Sequence, residues 1–551
     1  MKKIIFILGL AAVVLGTSCS DVLDLNPADR FSPATVWSTT TTADKYVIGL
    51  YSIFGANTEM RGGDAYASPR LSDAYSDILK STSWNQYNHN FNTTLLQETA
   101  FNSNSAGVFE CWSSHYDRIR RENEFLRDAA EFGSKFGEDW LKIRIAEVRF
   151  CRAYAYFMLC RVYGGVILRT EVDGPEQNDK ARSTEEECWG FIINELKELA
   201  PDLPLKWDSD NSGRATQKAA YGLLSRVALY AEKWDVAAQA ARDCATAEGN
   251  LDLSENGYAK IFELGINSPE VLFAVEFKSS VIDHAYDAYV RPSGDTKELG
   301  KQVYSGFVPT SELVDSYEMA GDGGNFSWEK HGKDPYANRE PRFYATILYN
   351  GADWMGRKIE SFVGGKDGYK AYENAGAAGT TVTGYYLRKY LIDGDKTWVT
   401  SGSGQDWIVL RYAEVLLNKA EALAMENWNK NSAEALQALN DVRARVGLPA
   451  RATADKETFL EYVRHERKVE LAGEGFRYWD LRRWRLAEKV IDGQNVHGVK
   501  ISKQSDGSFT YEQVDADGGH KRIFYDRYYR FAIPLSERSN NSLCTNNDGW
   551  I

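Results

Sequence analysis

The sequence predicts a mainly α fold: a tetratricopeptide-like scaffold of helical pairs, a large irregular loop-rich insertion and a few short strands. Three observations predict it. Apolar residues recur at helical spacing over long stretches on both sides of the chain's middle. Leu224, Ser225, Ala228, Trp234 and Ala237 hold the small and large positions of a repeat whose period is roughly 34 residues. Between the helical blocks, Asn250–Gln405 is rich in Gly, Tyr, Trp and polar residues and shows little periodicity.

The first 18 residues read as a targeting segment. Lys2 and Lys3 precede an apolar run, Ile4–Leu15, which is shorter than the about 20 residues a membrane span needs. Gly16, Thr17 and Ser18 are small, and Cys19 follows at once. This is the pattern of a lipoprotein signal in which Cys19 becomes the lipidated N-terminus. Gly16 stands where a large aliphatic residue is usual, and ordinary secretory cleavage near Ser18 is the competing reading. Residues 19–38 read as a polar, Pro-containing tether, and 39–551 as one domain. No later apolar run is long enough to cross a bilayer.

Thr42–Phe54 is a helix candidate with Tyr46, Gly49, Leu50 and Ile53 on one side. Gly62–Asn104 is polar with isolated aromatics and reads as long loops, the kind that carry binding. Ala106–Phe132 and Trp140–Tyr163 are strong helices, the second apolar nearly all round and so expected at the centre. Thr184–Leu199 starts with acids in its first turn. Gln217–Glu232 with Asp235–Ala247, and Ile408–Glu426 with Ala433–Val446, form helix pairs. A short pair cannot bury its own face, so the pairs must stack over about 42–247 and 408–490. In the insertion, Glu270–Phe277 and Arg342–Tyr349 alternate enough for strands, and Asn495–Tyr529 suits a small hairpin region.

Arg464–Trp484 (RHERKVELAGEGFRYWDLRRW) reads as helix, turn, helix. Phe459, Val463, Glu466 and Glu470 share one face of the first helix, which puts two carboxylates on the buried side. Gly473 and Gly475 suit the turn. The second helix is expected to present Phe476, Trp479, Trp484, Ala487 and Val490, with Arg483 among them. Buried carboxylates need cations, so an Arg–Glu network between the two helices is expected. A glycosidase acid/base pair is the sharper reading. It needs one neutral carboxyl, and Arg464, Arg467, Arg477, Arg482, Arg483 and Arg485 argue against one.

The net charge of −13 argues against a nucleic-acid partner. There is no phosphate-binding glycine motif, no nucleophile elbow and no H-E-x-x-H among the seven His. Asp208–Gly213 mimics the start of a calcium loop, but Ala219 occupies the twelfth position, where a bidentate Glu is required. Asp515-Ala516-Asp517-Gly518 is a weaker structural-calcium candidate. No cofactor is called for. After Cys19, six Cys remain without a C-x-x-C, and Cys151, Cys160 and Cys244 read as buried free thiols. Thirty-one Tyr and fifteen Trp exceed what a core absorbs, so exposed aromatic platforms are expected.

ERKVELAGEGFRYWDLRRW resembles the C-terminal hallmark of the SusD-like (RagB/SusD) nutrient-binding lipoproteins of two-membrane bacteria. EVRFCRAYAYFMLCRVYGGV, LRYAEVLLNKAEAL, DPYANREPRFYATILYNG and the closing RFAIPLSERSNNSLCTNNDGW are similar to the same family, as is the start CSDVLDLNPADRFSPATVW. The usual Gln-Asn-Pro before the final Gly-Trp is Asn546-Asn547-Asp548 here. The resemblance implies a lipid-anchored protein on the outer face of the outer membrane. It implies binding of a nutrient, usually a glycan, without catalysis, and partnership with a SusC-like TonB-dependent transporter.

A sugar ring offers an apolar C–H face to Trp or Tyr and a hydroxyl edge to Asn, Asp or Arg. STSWNQYN supplies Trp84, Asn85, Tyr87 and Asn88, and the resemblance implies that Trp84 contacts glycan. DHAYDAYVR supplies Tyr286, Tyr289 and Arg291, GGNFSWEKH supplies Trp328, and NGADW supplies Trp354. Each is weighed against a structural aromatic or cation. The rival function is a secreted glycoside hydrolase or esterase on a helical scaffold. A pure assembly protein that stabilises its transporter is a third reading.

Overall fold

The computed structural model describes residues 32–56, 71–82, 101–174, 179–371 and 380–550. Nine helices carry the argument: α1 Thr40–Leu50, α2 Trp112–Phe132, α3 Glu138–Tyr163, α4 Glu185–Leu199, α5 Gln217–Tyr230, α6 Trp234–Thr246, α7 Tyr412–Arg445, α8 Lys456–Glu470 and α9 Arg477–Arg483. Four of them, α1, α4, α5 and α8, start at side chains that satisfy otherwise unpaired backbone N–H groups. Thr39 with Thr42 and Thr184 with Glu187 form capping boxes at α1 and α4. The side chains of Thr216 and Asp455 accept backbone N–H groups at the starts of α5 and α8.

From α2 to α8 each helix packs on the next, so the expected stack of pairs is present. The centre is α3, in which every residue from Phe150 to Cys160 is buried. The chain leaves the stack after α6 and rejoins it at α7, which packs directly on α6. Everything between is the insertion.

Among the described residues every sheet has two strands. β1 Leu79–Ser81 pairs antiparallel with β3 Phe307–Pro309, and β2 Val271–Val275 with β4 Trp407–Arg411. β5 His497–Lys503 and β6 Phe509–Asp515 form the expected hairpin. Most buried apolar side chains form one core. A small satellite core, built from Ala285, Ala288, Tyr289, Val303 and Trp398, lies within the insertion.

Three expectations change. Residues 407–411 are strand rather than helix, because this apolar run is wholly buried against β2. The pair that follows is present as expected: Asn427 (φ −165°, ψ 93°) breaks the helix begun at Tyr412 and the chain doubles back, bringing Glu434 to Lys419 (2.8 Å). Arg342–Tyr349 is not a strand throughout: Pro341 opens a helix to Thr346, and Ile347–Leu348 alone pair, with Tyr386–Leu387. The second helix of the Arg464–Trp484 stretch stops at Arg483. Arg485 sits at φ 54°, and a separate turn of helix spans Ala487–Ile491.

The Arg–Glu network exists with other cations than those expected. Arg342 reaches Glu466 (2.6 Å) and Glu470 (2.9 Å), and Arg443 reaches Glu466 (3.0 Å). Arg411 binds Glu470 (2.6 Å), Glu474 (2.7 Å) and Glu270 (2.9 Å), and Arg445 also pairs with Glu470. Burial pushes the Glu470 carboxyl up, but Arg445, Arg411 and Arg342 overcome it and hold the group well below the usual range. A neutral catalytic acid is therefore not what Glu470 provides. Between the two helices themselves, Arg467 (2.8 Å) and Arg483 (2.8 Å) share Asp480. The turn is held by Asp73, which accepts N–H groups from Gly473 (2.9 Å), Gly475 (3.2 Å) and Arg477 (2.9 Å). Both glycines have φ near 80°, where a Cβ would be strained.

Residues 531–550 fold back on the start of the stack. Phe531 N–H donates to Val162 O (3.1 Å) and Leu535 N–H to Asn104 O (3.0 Å). Asn547 Nδ2 donates to Tyr163 O (2.8 Å). Among the described residues no helix is long and apolar enough to cross a membrane. The six Cys from Cys111 to Cys544 are buried and form no disulfide with one another.

Candidate functional site

Trp84, Asn85, Tyr87 and Asn88, like Cys19, lie outside the described residues. Thr82, two residues before Trp84 in the chain, is described. Thr82 N–H donates to Gly306 O (2.9 Å), and its hydroxyl donates to Ser305 O. Gly306 N–H donates in turn to Tyr289 O (2.5 Å), and Tyr304 N–H to Ala288 O (2.7 Å). The β1–β3 ladder, continued through Thr82, thus brings the last described residue before the first candidate stretch to Ser305 and Gly306, of which Gly306 bonds the backbone of Tyr289.

Tyr289 is 7% exposed and is not itself the platform. Its ring stacks on Tyr304, with centroids 4.8 Å apart and planes at 27°. Tyr304 is half-buried and keeps part of its surface in solvent. Sequence reasoning missed Tyr304. The only signal that could have found it is non-local: it lies three residues before the strand that pairs with β1.

Three other candidates are corrected. Tyr286, Arg291 and Trp354 are fully buried. Tyr286 OH donates to Lys389 O (2.9 Å). The Arg291 guanidinium lies 5.2 Å from the Trp354 ring and 5.3 Å from the Trp398 ring, and its Nε pairs with Asp287 at 2.8 Å. Trp354 Nε1 donates to Asp295 (3.0 Å), which Arg357 also holds (2.7 Å). These residues pin the insertion together. Without long helices to supply an apolar face, an irregular segment buries its aromatics and ion pairs in one another.

Trp328 is half-buried. Its Nε1 donates to Asp315 (2.9 Å), and its ring meets the edge of Phe326 and lies 5.9 Å from Tyr511. Burial pushes the Asp315 carboxyl up to about 6, opposed by the Trp328 hydrogen bond and by Arg339. The insertion also contains a concavity of about 330 Å³ with Tyr344 and Arg388 in its wall.

Among the described residues no three His, Cys, Asp or Glu are grouped as a metal site. One carboxylate of each calcium candidate is engaged within the protein. Asp208 caps a short turn by accepting from Asn211, and Asp517 is bound by Lys80 (2.6 Å) and Arg522 (2.8 Å).

A stacked helical scaffold bearing an irregular, aromatic-rich insertion defines the class. The chain belongs to the SusD family: residues 269–550 match that family, and residues 21–229 match the family described as "Starch-binding associating with outer membrane". It is 25% identical over 547 residues to a SusD-like protein of Bacteroides ovatus, covering 94% of this chain and 90% of that one. A SusD-like protein of Formosa agariphila is 25% identical over 516 residues, covering 89% and 94%. A solved SusD-like protein from Bacteroides fragilis superposes with a TM-score of 0.78 at 27% identity, covering 94% of this chain and 98% of that one. A solved SusD-like carbohydrate-binding protein from the same species gives 0.76 at 25% identity, covering 92% and 99%.

Proposed function

We propose that the chain is a surface-exposed lipoprotein, anchored to the outer membrane through Cys19, that binds a nutrient glycan and delivers it to a SusC-like TonB-dependent transporter. One observation carries the binding reading: the part-exposed Tyr304 ring, backed by Tyr289 and joined through the β-ladder to Thr82, two residues before Trp84. The likeness to a carbohydrate-binding SusD-like protein supports it. The proposed contacts are Trp84, Asn85, Tyr87 and Asn88 with Tyr304 and Trp328. A stacked sugar ring that covers on the order of 100 Å² of apolar surface contributes about 2.5 kcal/mol. Two or three such contacts, less an association cost of at least about 4 kcal/mol, leave millimolar to micromolar affinity. A capture protein that must release its cargo needs no more.

Incubation of the mature chain with a panel of polysaccharides tests this. Retention without new reducing ends is expected, and Tyr304→Ala should weaken retention about tenfold, the equivalent of about 1.4 kcal/mol. Turnover that survives careful purification would instead establish the hydrolase. Delivery is tested by co-purification from outer membranes: a TonB-dependent transporter should accompany the chain, and its consistent absence overturns that part.

A further inference from the structure

A cleft of about 320 Å³ lies where α3–α9 converge, and none of the loop-face residues above lines it. Its wall carries six arginines but three glutamates, in a chain whose net charge is −13. Three of the arginines are answered. Arg483 pairs with Glu421 (2.5 Å), Arg464 with Glu461 (2.5 Å) and Arg530 with Glu185 (2.5 Å). Arg485 is exposed and meets Asp526 only at 3.7 Å.

Arg161 and Arg482 differ: among the described residues neither forms an ion pair. Arg482 is 4% exposed, gives its Nη groups to Tyr529 O (2.8 Å) and Arg161 O (3.5 Å), and has no partner for Nε. Arg161 Nε is also buried without a partner. Both guanidiniums lie on the Trp479 ring, 4.1 and 4.7 Å from its centroid. Burial first, then Arg530 and Arg161, push the Arg482 pKa down to about 10. Buried cations without a counter-charge are costly, and a compact oxyanion is the group that relieves them, since guanidinium matches it bidentately.

The remaining wall is aromatic. Trp189, Tyr230 and Trp484 contribute, and Trp234 is half-buried with its ring unstacked on any other aromatic among the described residues. The volume sits at the small end of ligand cavities, room for one or two sugar rings but not for a folded segment of a partner. We propose that this cleft binds an acidic sugar residue, its carboxylate or sulfate held by Arg161 and Arg482 and its C–H face against Trp234. The site is separate from the loop face and does not rest on the reading given for it.

Calorimetric titration of the mature chain at low salt tests this, with sodium glucuronate, glucose, sodium sulfate and a hexaglutamate peptide as probes. Glucuronate should bind at least tenfold more tightly than glucose and than sulfate. Arg161→Gln should weaken it at least tenfold and Trp234→Ala severalfold, while Tyr304→Ala, which impairs the loop face, leaves it unchanged. Trp234 is part-exposed, so its variant decides the matter if Arg161→Gln fails to fold. The proposal is overturned by equal binding of glucose, by sulfate matching glucuronate, by binding of hexaglutamate alone, or by a folded Trp234→Ala protein that binds glucuronate as the parent does.

Discussion

Glu470 shows how much a single buried charge depends on its neighbours. It is fully buried and touches Arg342, Arg411 and Arg445. Removing it leaves three buried cations short of a partner, so Glu470→Ala should cost about 3–5 kcal/mol, read from urea unfolding. Glu122 is the opposite case. Both its oxygens are buried without a partner, and burial pushes its pKa from 4.5 up to about 8, against Arg152 and Arg118. Between those two values the unfolded chain releases the proton while the folded one retains it. Stability from this group is therefore full below pH 4.5 and is lost as pH rises towards about 8. Glu122→Gln should abolish that loss: its melting temperature relative to the parent should rise between pH 5 and pH 8.5. A difference curve flat with pH would refute this. The two buried Glu of α8 were legible in the sequence because helical spacing fixed their face. The partners were not, since Arg342, Arg411, Arg443 and Arg445 lie outside the stretch. Aromatic candidates failed for a related reason. Tyr286 and Trp354 sit in the same polar, loop-like sequence as an exposed ring would, and only tertiary packing separates the two.

Helices were the most legible elements, because periodicity and capping side chains act over a few residues. Thr216 illustrates it: its side chain accepts the Ala219 N–H at the start of α5. Thr216→Ala should cost about 1 kcal/mol, measurable as a shift in the denaturation midpoint with an unchanged slope. Glycine at the same position should cost less. Strands were harder. The run from Trp407 to Leu410 has no alternation, so nothing local tells a doubly buried strand from a turn of buried helix. Its partner β2 lies far back in the chain, near the start of the insertion. The β1–β3 ladder was invisible for the same reason.

For the molecule as a whole, the helical stack was readable and the insertion's internal order was not. The stack repeats one local rule, whereas the insertion is held by pairings between distant residues such as Arg291, Asp295, Trp354 and Arg357. All six thiols from Cys111 to Cys544 are buried and unbridged. Reductant should leave the melting temperature unchanged, and iodoacetamide should label these thiols only in denaturant; labelling of the native chain would contradict the packing. Asn547 is bonded to Tyr163 across a separation of 384 residues, and Phe531 to Val162. The closing segment therefore supplies donors to carbonyls at the end of α3. A ribosome must translate past Asn547 before the end of α3 has its final companions. The nascent polypeptide stays incompletely knit until then, and a product interrupted upstream of Phe531 keeps bare carbonyls there that leave it open to quality-control proteases.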